Sequence, residues 1–281
     1  QELTALELLK LVSYLKDASG IDKVRITGGE PLITPKFDEF LMGLGELGFE
    51  DVSLTTNAQK LSEKIDVIEA AGIKRLNISL DTLNPLKFKQ IARGGDLATV
   101  LEGIAAAQAR GIKLKINMVP MRTVNRDDVL PLLRFCLERD IELRFIELMR
   151  MGHLNQGQGF AQDFLSMQSL LDLIGESFEF ERTDAPFDST AVRFAIPGQG
   201  TFGIIANESE PFCSACTRLR LSSDGYLYGC LSSPRRESIR DLLTLPQHLV
   251  FPQLQARLLA ALNVKQQTFQ GETTVMKFIG G

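Results

Sequence analysis

Five short runs of alternating apolar and polar residues mark the first half of the chain, and helical patterns or turns separate them. Strands that alternate with helices at this spacing are typical of βα units and a parallel sheet. The pattern therefore predicts an α/β fold whose sheet closes as a barrel or a partial barrel. The predicted strands begin at Lys23 (KVRITGG), Asp51 (DVSLTTN), Arg75 (RLNISLD), Lys113 (KLKINMV) and Glu142 (ELRFIEL).

Each run has one apolar and one polar face, because side chains alternate across a strand. Val24 and Ile26 oppose Arg25, and in the third run Leu76 and Ile78 oppose Asn77. Strands buried on both faces of a parallel sheet usually read as continuous apolar runs, unlike these. Since helices normally cover such a sheet, we expect the polar faces to line a lumen shaped for a large polar ligand. A half-solvated sheet with one wet face is the alternative.

The pattern changes after Met151, where GHLNQGQGFAQDF is rich in glycine and glutamine and has the composition of a linker. Beyond it the strand-like runs alternate with turns. We therefore predict a boundary near residue 150. Residues 1–150 are expected to form a partial (βα) TIM-type barrel, and residues 151–281 a C-terminal α+β appendage that carries three cysteines.

Composition and charge narrow the classes of function. A net charge of −4 and a pI near 5.4 argue against nucleic acid as a partner, because nucleic-acid-binding proteins normally carry a basic surface. No apolar run reaches the ~18 residues of a membrane span, and no secretory leader opens the chain, so we expect a cytoplasmic protein without a membrane partner. In that compartment the four cysteines are more consistent with metal ligands, nucleophiles or core residues than with disulfides.

Cys213 and Cys216 form a CxxC pair, and Cys230 follows after an apparent β-hairpin. The spacing suits a metal site, but a structural zinc normally takes four ligands and only three are local. Three thiolates suit a [4Fe–4S] cluster with one iron open to a substrate atom. A cluster, a zinc ion and plain thiols all remain open on spacing alone.

The register of this hairpin decides which side chains converge. A two-residue Asp-Gly turn would pair Leu219 with Cys230 and put Cys230 on the opposite face from Cys216. A three-residue Ser-Asp-Gly loop with a left-handed glycine instead pairs Arg218 with Cys230. We favour the second register because it matches apolar with apolar residues. It pairs Leu221 with Leu227 and places Cys216, Arg218, Arg220 and Cys230 on one face.

The remaining cysteine and the two histidines have ordinary structural interpretations. Cys136 lies at helical spacing beside Leu133 and Leu137, which predicts a buried core thiol. His153 lies in the apparent linker and His248 precedes a helical tail, and neither has the spacing of a metal ligand.

TGGEP, from Thr27 to Pro31, resembles the Gly-Gly-Glu-Pro motif of radical S-adenosylmethionine enzymes. With LTTN, NISLD, LKIN, LRFIELM, the cysteine hairpin and the terminal FIGG in this order, the chain closely resembles the GTP 3′,8-cyclase family of molybdenum cofactor biosynthesis. The resemblance implies a radical conversion of GTP to 3′,8-cyclo-7,8-dihydro-GTP, and a homodimer served by an electron donor.

The resemblance also assigns roles to residues of this chain. It implies an auxiliary [4Fe–4S] cluster, whose open iron would meet the guanine base, and a S-adenosylmethionine site, where Glu30 would assist at the amino group. The cluster ligands would be Cys213, Cys216 and Cys230; the S-adenosylmethionine contacts Gly29, Ser79 and Met149; the GTP contacts Arg25, Thr55, Lys115, Arg218, Leu219 and Arg220; and the catalytic residues Arg144, Gly280 and Gly281.

One departure from the family pattern concerns the first cluster. The family holds it on a CxxxCxxC loop, and no such motif occurs in this chain, which opens at Gln1 in a helical pattern without an initiator methionine. We therefore expect the chain as given to lack a segment and to be unable to generate the radical. The alternatives are a zinc-stapled nucleotide-binding module without radical chemistry, and a peptide-modifying radical enzyme with an auxiliary cluster.

Overall fold

A computed structural model describes residues 2–151, 159–185 and 189–265. The five predicted runs are strands, and they pair in parallel in their sequence order. The α/β prediction is thus confirmed, with adjacent strands joined by helical crossovers. The strands are β1 (Lys23–Ile26), β2 (Asp51–Thr56), β3 (Arg75–Ser79), β4 (Lys113–Met118) and β5 (Glu142–Ile146).

The sheet continues past the predicted boundary near residue 150. Strand β8 (Gly200–Ile205) pairs in parallel with β5, while β7 (Val192–Ile196) and β6 (Glu181–Thr183) follow antiparallel. The full order is β1-β2-β3-β4-β5-β8-β7-β6. The C-terminal part therefore shares its sheet with the barrel strands, and the division into two domains stays a prediction.

The larger core lies between the apolar faces of these strands and the connecting helices. Leu54, Leu76 and Ile116, which point away from the polar faces, are fully buried there. Truncating such a side chain to alanine typically costs about 2–5 kcal/mol. The helices are α2 (Phe37–Glu46), α3 (Leu61–Ala70), α4 (Pro85–Ile91), α5 (Leu97–Ala109), α6 (Val129–Leu137), α7 (Gly159–Asp163) and α8 (Met167–Gly175).

A second core supports the cysteine hairpin. Helix α1 (Ala5–Ser19) and helix α9 (Gln247–Leu262) pack against a small antiparallel sheet, and Leu11, Leu227 and Leu254 are fully buried between them. Within the described ranges, no helix is both long and apolar enough to cross a membrane. The small sheet comprises β9 (Arg220–Leu221), β10 (Tyr226–Tyr228) and β11 (Glu237–Ser238).

Helix α1 connects the two cores. It begins with a capping box, in which the Thr4 hydroxyl accepts from the Glu7 amide and the Glu7 carboxylate accepts from the Thr4 amide. At its other end the Lys16 ammonium donates to the carbonyl oxygens of Leu47 and Gly48, just after α2. The hairpin is thereby held in a fixed position relative to the barrel strands.

Candidate functional site

The glycine turn after β1 leaves one side of its backbone open. A Cβ added at Gly28, whose φ is 146°, or at Gly29 would meet no heavy atom within 4 Å. The Glu30 carboxylate accepts hydrogen bonds from Leu32 N, Thr56 Oγ1 and Asn57 N at 2.7–3.1 Å. Glu30 therefore fixes the turn against the end of β2, and the exposed edge at Gly28 and Gly29 is available to a ligand.

Two further predicted contacts lie at the same end of the sheet, since the carboxyl ends of parallel strands meet at one edge. Ser79 is the last residue of β3 and is exposed, and Met149 follows β5 and is half-buried. The fold thus places Gly29, Ser79 and Met149 after three strands on the carboxyl side, where open parallel sheets usually bind ligands.

The middle of the lumen holds a charged network that begins at Lys115. Its ammonium lies 2.8 Å from Glu142 Oε1, and Arg193 of β7 lies 2.8 Å from Glu142 Oε2. Burial lowers the pKa of Lys115 despite this pairing. Burial opposes ionisation of Glu142 as well, but Lys115 and Arg193 outweigh it and lower its pKa. A cavity of about 510 Å³ opens beside this network at the amino ends of the strands.

Arg144 lies next to this network and is bound by two amides. Its Nη2 donates to Asn77 Oδ1 at 2.6 Å and its Nε to Asn117 Oδ1 at 3.0 Å. Asn77 Nδ2 in turn approaches Thr55 Oγ1 at 3.3 Å. Burial lowers the pKa of Arg144 to about 10, and the nearby charge of Arg25 contributes. The guanidinium is nevertheless fully charged at neutral pH.

The cysteine hairpin adopts the favoured register. Leu227 pairs with Leu221, and Gly225 at the loop has the predicted left-handed φ of 85°. Burial lowers the pKa of Arg218 to about 10, and the charges of Arg25, Arg220 and Arg144 lower it further. These electrostatic effects require short distances, so the hairpin presents Arg218 to the same lumen as the barrel strands.

Leu219 and Arg220, which follow Arg218 on the hairpin, point in different directions. Burial lowers the pKa of Arg220, although Cys216 and Cys230 oppose the change. Leu219 is half-buried and packs against the second core. Its side chain therefore faces away from the lumen, and a contact from Leu219 to a ligand would have to use its backbone.

The three hairpin cysteines are near neighbours. Burial raises the pKa of Cys213, and the adjacent Cys230 and Cys216 raise it further. Mutual repulsion of thiolates is the condition that bound iron relieves, so this donor set fits a cluster. In the part of the chain that the structure describes, no group of three or more His, Cys, Asp or Glu side chains, the hairpin cysteines included, is arranged to hold a metal ion.

Two contacts from helix α9 and the residues after it fix the hairpin cysteines. Lys265 Nζ donates to the carbonyl oxygens of Cys216 and Arg218 at 2.8 Å each, and lies 3.9 Å from Cys216 Sγ. Gly229, just before Cys230, packs directly on the backbone of Ala261. Both contacts are long-range in sequence.

The remaining cysteine and histidines stay outside the site. Cys136 is fully buried in the larger core, which confirms the predicted core thiol, and burial raises its pKa far above the ordinary range. His248 is exposed at the start of α9. His153, Gly280 and Gly281 lie outside the described residues, so the predicted role of the terminal glycines stays a prediction.

Sequence reasoning missed several residues that build this site. Strand alternation puts Asn77 and Asn117 on polar faces but assigns them no role, and Glu142, Arg193 and Lys265 are not among the predicted site residues. Strand alternation carries a signal for Glu142, which shares a face with Arg144. No local pattern indicates Arg193 or Lys265, because their partners lie far away in the sequence.

Two family models match the chain and together cover most of its length. The Radical SAM superfamily matches residues 1–136, and the family Molybdenum Cofactor Synthesis C matches residues 141–271. A solved structure of Streptococcus suis SuiB bound to S-adenosylmethionine superposes with a TM-score of 0.60, covering 86% of this chain and 57% of that one. At 15% identity this likeness concerns the fold alone.

Curated relatives extend the similarity to sequence. The GTP 3′,8-cyclase of Listeria monocytogenes is 40% identical over 236 residues, which cover 82% of this chain and 70% of the relative. The enzymes of the same name from Synechocystis and Aquifex aeolicus are 36% and 37% identical, covering 84% and 79% of this chain and 72% and 69% of theirs. The chain therefore belongs to the GTP 3′,8-cyclase family of the radical SAM superfamily.

Proposed function

We propose that this chain carries the substrate-binding and auxiliary-cluster machinery that converts GTP to 3′,8-cyclo-7,8-dihydro-GTP in molybdenum cofactor biosynthesis. The observation that carries the proposal is the convergence of Arg25 and Arg144 from the barrel with Arg218 from the hairpin. Guanidinium groups that lie close together repel one another, and a bound anion relieves that repulsion. A nucleoside triphosphate supplies such an anion to a protein whose overall charge is negative.

The lumen supplies complementary groups for the rest of the nucleotide. Thr55 offers a hydroxyl, and Lys115 offers an ammonium that Glu142 holds in place. Arg220 lies on the hairpin beside Cys216 and Cys230. GTP placed along this surface would contact the barrel with one end and the hairpin with the other. Its guanine would then approach the three thiols, and Arg144 would act on the substrate between them.

S-adenosylmethionine would bind at the carboxyl ends of the strands, on the open backbone of Gly29 and beside Ser79 and Met149. When bound together with the reducing [4Fe–4S] cluster of the superfamily, it would supply the radical chemistry that joins ribose C3′ to guanine C8, and an electron donor would supply the last electron, with a proton, for the dihydro product. The chain's own contribution is to hold the two reacting carbons close together in a lumen shielded from water.

Cys213, Cys216 and Cys230 would hold the auxiliary [4Fe–4S] cluster. Their proximity and the neighbouring positive charge of Arg218 and Arg220 support this assignment, because a cluster with thiolate ligands is anionic. The homodimer, the electron donor and the entry of Gly280 and Gly281 into the site belong to the same proposal. The curated relatives do not favour the alternative of a zinc-stapled module.

Nucleotide titration of Arg218→Ala tests the proposal. A charge-assisted contact to phosphate contributes about 1.5–3 kcal/mol, so calorimetry under anaerobic conditions should show a GTP affinity roughly tenfold to a hundredfold lower. Added salt should weaken binding to the unmodified chain more than to the variant. Arg182→Ala is the matched control, because Arg182 is 58% exposed and pairs with Glu210 on the surface. Equal GTP affinities for the two variants would contradict the proposed site.

A further inference from the structure

Arg144 is a half-buried cation whose hydrogen bonds go to amides rather than to carboxylates. Its guanidinium donates to Asn77 Oδ1 and Asn117 Oδ1, and no ion pair joins it to a carboxylate among the described residues. Its neighbour Lys115 is held differently, by the carboxylate of Glu142 at 2.8 Å. Glu142 also attracts Arg144, but its carboxylate is paired with Lys115 and Arg193, so Lys115 has a directly bonded carboxylate and Arg144 is oriented without one.

Strand register produces this arrangement. Asn117 lies directly opposite Arg144 on β5, and Asn77 lies opposite Lys115 on β4, so Arg144 reaches back across β4 to β3. Asn77 is only 6% exposed, and its Nδ2 approaches Thr55 Oγ1 at 3.3 Å. That contact turns the amide so that its oxygen faces Arg144. The amide of Asn77 is thus fixed on both sides.

A carboxylate in place of this amide would keep its shape but change its charge, and the Thr55 hydroxyl would have to donate to it instead of accepting. Aspartate has nearly the same shape as asparagine, but it would pair with Arg144 as a buried ion pair. A paired guanidinium attracts a third, anionic group far less strongly than a guanidinium held by neutral acceptors. An amide at this place keeps Arg144 available to an anion.

We propose that Asn77 is a positioning residue that orients Arg144 without neutralising it, so that the guanidinium remains free to bind an anionic group of the substrate. This inference rests on the proposed function for the identity of that substrate as GTP. It requires only that the lumen binds a polyphosphate, and the two claims can therefore be tested separately.

The test compares Asn77→Asp with Asn84→Asp in the 281-residue chain. Asn84 is exposed at the start of α4, where its Oδ1 accepts from Leu86 N and Lys87 N, and aspartate caps helices equally well. Both variants gain the same negative charge. Anaerobic titration with GTP and with inorganic tripolyphosphate, at low and high salt, measures affinity, and thermal unfolding without ligand measures stability.

We expect Asn77→Asp to bind both anions about tenfold to a hundredfold more weakly than the unmodified chain, with a smaller dependence on salt. Its unfolding temperature should be unchanged or higher, because Arg144 gains an ion pair. Asn84→Asp should bind within twofold of the unmodified chain. Asn77→Ala removes the orienting contact but adds no charge, and its loss of affinity should be smaller than that of Asn77→Asp.

Several results would overturn the inference. Unchanged affinity in Asn77→Asp would do so, and so would a weaker affinity accompanied by a clear fall in unfolding temperature, which indicates a structural role. If Asn77→Asp does not fold, Asn77→Ala decides, and wild-type affinity in that variant would contradict a positioning role. If the unmodified chain binds tripolyphosphate but not GTP, the proposed function fails while the comparison of variants still stands; if it binds neither, both are wrong.

Discussion

The close contact between Gly229 and helix α9 allows a direct test of how the hairpin is held against that helix. A Cβ at Gly229 would overlap the carbonyl oxygen of Ala261 and would lie 2.6 Å from its carbonyl carbon. Ordinary van der Waals contact begins near 3.4 Å. The distance between the new Cβ and the carbonyl carbon of Ala261 would therefore have to grow by about 0.8 Å. Both obstructing atoms belong to the backbone. No side-chain rotation can relieve the clash, and Gly229→Ala must separate the hairpin from the helix.

Overpacking of this kind costs about 1–3 kcal/mol of unfolding free energy. For a chain of this size that corresponds to a fall of roughly 2–12 °C in the unfolding temperature. The separation also moves Cys230, the next residue, and draws Lys265 away from the carbonyl oxygens of Cys216 and Arg218. Anaerobic reconstitution of Gly229→Ala should therefore give less iron per chain than reconstitution of the unmodified protein.

Gly175→Ala is the matched control for this substitution. Gly175 is the last residue of α8, and a Cβ there would meet only a ring carbon of Phe180 at 3.9 Å. In a helix, alanine is favoured over glycine by about 0.5–1 kcal/mol, so this variant should be as stable as the unmodified chain or more stable. If Gly229→Ala unfolds at the same temperature as the unmodified chain, the close contact does not form. If it unfolds at a lower temperature but binds as much iron, the contact is not coupled to the cysteines.

Two further predictions concern acid stability and the cysteines. Burial raises the pKa of Asp81 from 3.8 to about 6, although the Val119 amide donates to its carboxylate. The folded state therefore binds more protons between these values, and the free energy of unfolding should fall as pH rises from about 4 to about 6. Urea unfolding of Asp81→Asn at several pH values should show a weaker dependence of the unfolding free energy on pH. The same dependence as in the unmodified chain would contradict this prediction. Cys230→Ser should lower the iron content after anaerobic reconstitution, whereas Cys136→Ala, in the larger core, should not; equal iron in both would exclude the hairpin cluster.

Local periodicity and turn chemistry made several parts of this protein predictable from its residues. Alternating polarity located all five barrel strands and the polar faces that carry Arg25, Thr55 and Lys115. The matching of Leu221 with Leu227 around a left-handed Gly225 gave the correct hairpin register. These features are readable because each one is encoded within a few consecutive residues. Family motifs then added the roles that no spacing could assign.

Contacts between residues that are distant in the sequence could not be predicted in this way, because they form when the chain folds. Residues 181–205 add three strands to the edge of the barrel sheet at β5, so the sheet crosses the boundary that a change in local pattern had suggested near residue 150. The Arg144–Asn77 contact spans 67 residues, and the Lys265–Cys216 contact spans 49. Such pairs depend on strand order and on how the two cores pack. A polar residue on a strand indicates which face it occupies, but its partner is fixed only when the sheet and the helices assemble around it.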